Sequence, residues 1–194
     1  WCSYAGADLA GVSRIQYPPN IRVIRVMCSG RVDPVIILAM FENGADGVIV
    51  AGCHPGDCHY ISGNLYEERK IKMLKMLLGL TGLDLGRLRL EWVSAAEGQR
   101  FAQVVTEFTE EVRKFGFSPI SGELVDQKIL LNVKAAKNAA ADTRLRLLVG
   151  REIELTEKTN VYKEKVPQET FDSSLREAIE SEFIRQKIYL LARN

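Results

Sequence analysis

The stretch DGVIVAGC, residues 46–53, decides the fold, because a short run of β-branched residues leads from two turn-forming residues to a cysteine. Such an apolar run is typical of a strand that is covered on both faces of a parallel sheet. Segments with helical periodicity flank it at 33–43 and 65–80. A strand between two helices is the repeating unit of a βαβ fold, so we predict an α/β protein with a parallel sheet.

Further segments of the same two kinds extend this unit. The domain they form, residues 1–116, is expected to have a small flavodoxin-like or Rossmann-like parallel sheet. A helix follows Trp1 and Cys2 at once, so we expect that the first strand of this domain is missing from the sequence. The predicted strands are 21–27, 46–52 and 87–93, and the predicted helices are 5–15, 33–43, 65–80 and 96–115.

Residues 117–194 have a different character, since they contain no cysteine, histidine or tryptophan. Apolar residues recur at helical spacing in 122–149 and in 170–193, and a polar connection, 150–169, joins them. We predict a C-terminal helical hairpin. Its apolar stripes need a cover, and we expect another protein of a complex to supply it. Packing of the hairpin on the α/β domain is the alternative.

Charge and hydropathy exclude several classes of protein. The 194 residues carry 26 Lys and Arg against 25 Asp and Glu, a net charge of +1. This balance offers no basic field for phosphates, so we expect no nucleic-acid partner. No apolar run approaches the roughly 18 residues of a membrane span, and no signal-peptide pattern opens the chain. We therefore expect a cytoplasmic protein without a membrane span.

The four cysteines point to metal or redox chemistry. Cys28 and Cys53 each follow a predicted strand directly, and Cys58 shares a loop with Cys53. Cys2 precedes the first helix and falls at the same edge if a strand comes before it. The carboxyl ends of parallel strands open on one side, so we expect the four thiols to converge there. Thiolates are the soft ligands of iron–sulfur clusters and of zinc, and we predict that Cys2, Cys28, Cys53 and Cys58 bind metal.

Two histidines stand beside these cysteines. Adjacent residues rarely coordinate one ion, so we expect His54 and His59 to bond to cluster sulfurs or to fix the loop rather than to bind metal. Two alternatives to an iron–sulfur centre remain open at this point. One is a structural-zinc adaptor without redox function. The other is a thiol redox enzyme using Cys53 and Cys58, although their C-x4-C spacing is wider than the C-x-x-C of such enzymes.

Several motifs resemble one known family. The segments WCSYAGAD (1–8), RVMCSGRVD (25–33), GCHPGDCHY (52–60), GNLY (63–66) and RLEWVSAAEG (89–98) are similar, in this order, to the methyl-viologen-reducing hydrogenase delta subunit family. The resemblance covers residues 1–116, and the GCHPGDCHY run is its most specific part.

The resemblance implies a function that the residues alone do not give. It implies a [2Fe–2S] electron carrier, a non-catalytic component of an oxidoreductase complex. Its place would be between a hydrogenase or formate dehydrogenase and the flavin-bearing A subunit of heterodisulfide reductase, in an electron-bifurcating complex of anaerobes such as methanogens. Family members have further cysteines just ahead of the tryptophan, which puts the role of Cys2 in question.

Overall fold

The computed structural model describes residues 1–159 and 163–193. They form a mixed, mostly helical α/β protein. Two short 3-10 turns lie at Ser29–Arg31 and Leu85–Arg87. The elements are α1 (Cys2–Val12), α2 (Pro34–Glu42), β1 (Val48–Gly52), α3 (Gly63–Gly79), β2 (Leu88–Trp92), α4 (Gly98–Phe115), α5 (Gln127–Ala140), α6 (Thr143–Gly150), α7 (Glu152–Thr156) and α8 (Gln168–Ala192).

The sheet of the described residues has two parallel strands, which confirms the predicted class but not the predicted size. β1 pairs with β2 from Val48 opposite Leu88 to Gly52 opposite Trp92. Asp33 caps α2 as its side chain accepts a 2.9 Å hydrogen bond from the amide of Val35. Both strands end at the same edge of the sheet, and the loop that carries Cys53 and Cys58 begins there.

The prediction of a strand at 21–27 is wrong. These residues belong to neither a strand nor a helix, and most of their side chains are exposed. The carbonyl of Val26 accepts a 2.7 Å hydrogen bond from the amino group of Trp1, and the Arg25 guanidinium lies over the ring of Tyr4 at 5.3 Å. The segment therefore lies beside α1 without a strand partner in the described part of the chain, and a flavodoxin-like sheet is not observed.

The two faces of the sheet have separate cores. On one face α1 packs against α4 through a small cluster that includes Ala10, Val93 and Phe101. Gly98 allows this contact, since a Cβ there would lie 2.8 Å from the amide nitrogen of Ala10. On the other face α2 and α3 form the start of a much larger core. The loops between these layers carry the site.

The C-terminal helices complete the large core instead of forming a free hairpin. α5 packs on α2, and α8 packs on α3 and α5. Val133, Leu145 and Phe183, three residues of the predicted apolar stripes, are buried in this core. The expectation that another protein covers these stripes is therefore wrong for their inner faces, because the α/β part of the same chain covers them.

The predicted helix at 122–149 is two helices. Asp142 ends the first one, since its carboxylate accepts hydrogen bonds from the amides of Arg144 and Leu145 and caps α6. The predicted helix at 170–193 is confirmed as α8. The predicted connection, 150–169, contains the short helix α7, and its residues 160–162 lie outside the described residues, as does the last residue of the predicted extension. None of the described helices combines the length and apolarity that crossing a bilayer requires.

Candidate metal centre

The four cysteines come together beside the carboxyl end of β1, as expected, although the strand predicted ahead of Cys28 is not formed. Cys28, Cys53 and Cys58 are buried and pack as one cluster, with the half-buried Cys2 against it. All four residues are free cysteines, and the Cys53 thiol interacts with those of Cys2 and Cys58. The sequence-based expectation of convergence is therefore met by side-chain contacts.

Backbone amides of the loop and of the first turn of α3 point at two of the sulfurs. The amides of Tyr60, Gly63 and Asn64 donate to the Cys58 sulfur, and the amide of His59 donates to the Cys53 sulfur. Amides at a helix start lack partners within the helix, so they are free to bond a sulfur that carries negative charge. This arrangement favours a thiolate at Cys58.

The two sulfurs respond differently to their surroundings. Burial raises the pKa of the Cys53 thiol to about 11, more than its amide donor lowers it. Burial also acts to raise the pKa of Cys58, but the amides of Asn64 and Tyr60 outweigh it, and the pKa of Cys58 lies below its usual range. Cys58 is therefore the thiol of this pair that ionises more readily.

Two glycines bring the Cys28 turn and α3 into contact. A Cβ at Gly63 would lie 2.2 Å from the Cys28 sulfur and 3.5 Å from the Cys58 sulfur. A Cβ at Gly30 would lie 2.7 Å from the carbonyl oxygen of Gly63. The sequence suggests only turns at these positions, whereas the structure requires glycine there for close approach.

Buried polar side chains hold the loops that carry the cysteines. The amide group of Asn64 donates to the carbonyls of Cys53 at 3.0 Å and of His54 at 2.9 Å. Ser3 donates to the carbonyl of Val93 at 2.8 Å, which attaches the start of α1, next to Cys2, to the end of β2. Sequence reasoning assigns no role to Asn64 or Ser3, because their partners are distant in sequence.

The two histidine rings contact groups other than the sulfurs. His54 Nε2 lies 2.7 Å from Glu97 Oε2, which also accepts the amide of Ser94 at 2.7 Å. The Ser94 amide and His54 lower the pKa of Glu97. The ring of His59 lies edge-on to the ring of Tyr60, with centroids 5.1 Å apart. His54 thus links the loop after β1 to the loop after β2.

The thiols are close-packed rather than spread about a common centre. In residues 1–159 and 163–193, no group of three or more His, Cys, Asp or Glu side chains is arranged to hold a metal ion. The donor set nevertheless suits a soft metal, since four free thiols converge and amide donors are aimed at the sulfurs. Binding a cluster requires the cysteine side chains to turn apart.

Four thiols packed at the carboxyl edge of a parallel sheet on an α/β scaffold are a candidate soft-metal or thiol redox centre. The family model that matches residues 1–116 is the methyl-viologen-reducing hydrogenase delta subunit. The chain belongs to this family, as its sequence motifs indicate.

Known proteins similar to the chain are of two kinds. Over 116 residues, 60% of this chain, it is 53% identical to the iron-sulfur D subunit of the F420-non-reducing hydrogenase of Archaeoglobus profundus, covering 85% of that protein. Over the same length it is 50% identical to the vhc iron-sulfur D subunit of Methanococcus voltae, covering 81% of it. Over 124 residues, 64% of this chain, it is 53% identical to the A subunit of the Ferredoxin:CoB-CoM heterodisulfide reductase of Methanosarcina mazei, but it spans only 15% of that protein.

Proposed function

We propose that Cys2, Cys28, Cys53 and Cys58 hold a [2Fe–2S] cluster in the unit formed by residues 1–116, with residues 117–194 as a helical extension. The observation that carries this proposal is the packing of four free thiols together with amide donors to the Cys53 and Cys58 sulfurs. Amide hydrogen bonds to cysteine sulfur stabilise the negative charge of thiolate ligands and tune the centre's potential. The word iron-sulfur in the names of the two hydrogenase relatives supports the same cofactor.

The surrounding residues have positioning roles in this proposal. When bound, the cluster accepts and releases one electron at a time. Asn64 holds the backbone of the Cys53–His54 segment, and the contact between His54 and Glu97 joins the two loops at the strand ends. His59 contributes its backbone amide to the Cys53 sulfur. Neither histidine is needed as a ligand, since four thiolates complete the set.

The function we infer is electron relay inside a larger assembly. Electrons from a hydrogenase or a formate dehydrogenase pass through this protein to the flavin-bearing A subunit of heterodisulfide reductase, in an electron-bifurcating complex of the cytoplasm. The relatives named as hydrogenase subunits support the donor side, and the relative named as a heterodisulfide reductase component carries a similar unit within its own chain. Formate dehydrogenase and bifurcation rest on the family resemblance.

The test is to purify the protein without oxygen and to measure iron, sulfide, zinc and the visible spectrum. We expect two irons and two sulfides per chain, with absorption between about 400 and 550 nm that dithionite bleaches. Single alanine substitutions of Cys28, Cys53 and Cys58 are expected to abolish or convert the paramagnetic signal of the reduced cluster. The Cys2 variant shows whether the half-buried thiol is the fourth ligand.

The controls are His54→Ala and His59→Ala, which change the same loop without removing a thiol. We expect full iron content with a shifted midpoint potential, because the loop and its amides move slightly while the ligands remain. Loss of iron in either histidine variant contradicts an all-cysteine ligand set. A colourless protein that contains one zinc per chain contradicts the electron relay and supports a structural-zinc adaptor instead.

A further inference from the structure

The turn between Cys58 and α3, together with the start of α3, exposes three large side chains. Ile61 is 89% exposed, Tyr60 48% and Tyr66 41%. Hydrogen bonds from the amide of Ser62 to the carbonyl of Tyr60 and from the amide of Tyr66 to the carbonyl of Ser62 hold them on consecutive turns. We call these three residues the Tyr60 patch. Single exposed apolar residues need no explanation, but a group of this kind marks an interaction site.

Ile61 also has a backbone conformation that its β-branched side chain disfavours. Its φ is +69°, in the left-handed region, which a β-branched residue avoids. Keeping a non-glycine residue there costs conformational free energy. At 89% exposure the side chain gains little from burial in this chain to offset that cost. Glycine or asparagine would make the same turn with less strain, so folding alone does not account for an isoleucine at this position.

The patch is attached directly to the thiol cluster. The amide of Tyr60 donates to the Cys58 sulfur, and the carbonyl of Cys58 accepts a 2.8 Å hydrogen bond from the amide of Ile61. Gly63, one residue beyond Ser62, contacts the Cys28 sulfur. A protein bound to the Tyr60 patch is therefore separated from the thiols by little more than one turn of backbone.

We propose that the Tyr60 patch is the surface on which the electron-accepting protein, the A subunit of heterodisulfide reductase, docks; this rests on the proposed relay function. Redox complexes have small interfaces that assemble and separate readily, and two tyrosines and an isoleucine supply an apolar centre of that size. In the complex, a pocket of the partner buries the Ile61 side chain, and this burial offsets the strain of its backbone.

This reductase component is the occupant because one relative holds a similar unit and the rest of the reductase component in a single chain. The unit resembles separate hydrogenase subunits and, at 53% identity, a part of one heterodisulfide reductase chain. In that second chain the unit is always attached to the remainder of the reductase component. This covalent attachment makes the reductase component the occupant to which we commit, while the names of the separate subunits mention a hydrogenase alone.

Three variants test the proposal in the full chain: Ile61→Asp, Ile61→Gly and the control Leu124→Asp. Leu124 is 94% exposed and lies outside the residues that match the family. The probe is the purified A subunit of heterodisulfide reductase with its flavin, from the same source as this protein. For each variant we measure the binding affinity and the rate at which the prereduced protein reduces the flavin. We also measure the iron content and the melting temperature.

We expect Ile61→Asp to weaken binding at least about tenfold and to slow flavin reduction, because a charge must then be desolvated at the apolar centre. Leu124→Asp leaves binding and rate unchanged. Ile61→Gly raises the melting temperature, since glycine relieves the left-handed strain, yet weakens binding. Higher stability combined with weaker binding identifies a residue kept for a partner. All three variants should keep full iron content and normal reduction by dithionite.

Three results overturn the proposal. If both Ile61 variants bind the reductase component as the wild type does, the patch is not its docking surface. If Ile61→Asp slows only electron delivery from the hydrogenase, the patch serves the donor instead. If it only converts a dimer of this chain into monomers, the occupant is a second copy. A wild-type protein without iron contradicts the relay function itself, whatever the binding results are.

Discussion

At the scale of single residues, the site depends on positions where no side chain fits. Gly63 is the clearest case, since a Cβ would stand 2.2 Å from the Cys28 sulfur. The contact joins the turn after Cys28 to the first residue of α3. A sulfur atom this close cannot accept a methyl group unless the Cys28 side chain turns away or one of the two backbones moves.

We predict that Gly63→Ala lowers the iron content of the purified protein and reduces the free energy of unfolding by about 1–3 kcal/mol, the usual cost of overpacking. Gly11→Ala is the matched control, because a Cβ at Gly11 in α1 meets no atom within 4 Å among the described residues. It should keep full iron content and gain about 0.5–1 kcal/mol of stability from better helix propensity. A fully loaded, equally stable Gly63→Ala variant contradicts the close approach.

The convergence of the four cysteines could be predicted from the sequence, but the residues that support them could not. For Cys53 and Cys58 convergence follows from topology, since their loop leaves the carboxyl end of β1, whereas among the described residues no strand leads into Cys2 or Cys28. The roles of Gly30, Gly63 and Asn64 depend on distances between segments far apart in sequence. Local patterns carry no information about such distances, so these glycines suggest only turns.

At the scale of elements, a buried ion pair fastens the turn after Cys28 to α3. Lys70 Nζ donates to the carbonyls of Gly30 at 3.0 Å and Val32 at 2.5 Å, and it lies 2.6 Å from Glu67 Oε2. Glu67 is fully buried, and its two oxygens have no well-formed hydrogen bond within the described part of the chain. The carboxylate is thus paired with Lys70 by charge but is poorly solvated.

Burial raises the pKa of Glu67 to about 7, although Lys70 acts to lower it. Between about pH 4.5, the ordinary value, and pH 7, the folded protein holds a proton that the unfolded chain has lost. The free energy of unfolding therefore falls as pH rises through this range and levels off above it. A carboxylate whose pKa is raised in this way disfavours the folded state at neutral and alkaline pH.

We predict that Glu67→Gln removes this pH dependence. From pH 5.5 to pH 8 the free energy of unfolding of the variant should rise relative to that of the wild type. The rise should reach up to about 2 kcal/mol if the full shift in the pKa of Glu67 is expressed. Denaturant unfolding of both proteins at each pH measures it. The control is Glu68→Gln, a change at the exposed neighbouring residue. A stability difference that stays constant with pH contradicts the raised pKa.

Element prediction from the sequence succeeded where local signals and packing agree. The Asp33 cap and the helical periods of α2, α3 and α4 all correspond to observed helices. Residues 21–27 have strong β propensity, but propensity makes a strand only beside a partner strand, and none of the described residues pairs with them. At Asp142 a capping side chain overrides an apolar period that continues across it.

At the scale of the whole molecule, the C-terminal helices and the α/β part share one core. Leu175 and Ile179 of α8 and Val133 of α5 are buried among residues of α2 and α3. Polar contacts accompany them, since Lys72 of α3 pairs with Asp172 of α8 and lies 3.3 Å from Glu152 of α7. The family match ends at residue 116, yet the large core does not.

One shared core predicts one cooperative unfolding transition. Leu175 is fully buried, whereas Leu191, on the same helix, is 56% exposed. Because both are leucines, the same substitution at the two positions shows the effect of burial alone. We expect Leu175→Ala to cost about 2–5 kcal/mol and Leu191→Ala less than about 0.5 kcal/mol. Both tryptophans lie within residues 1–116, so their fluorescence reports on the α/β part alone, whereas circular dichroism at 222 nm reports on all helices.

The decisive comparison is between the two probes. If the C-terminal helices belong to the core, Leu175→Ala moves the tryptophan transition as far as the helical one, although no tryptophan lies in its helix. If the helices form an independent unit, the substitution moves only part of the circular dichroism signal and leaves the fluorescence midpoint at its wild-type value. In that case the extension is free to anchor another protein through the face that holds Leu175. In the first case it can use only its outer face, where Ile184, Ile188 and Leu191 are exposed.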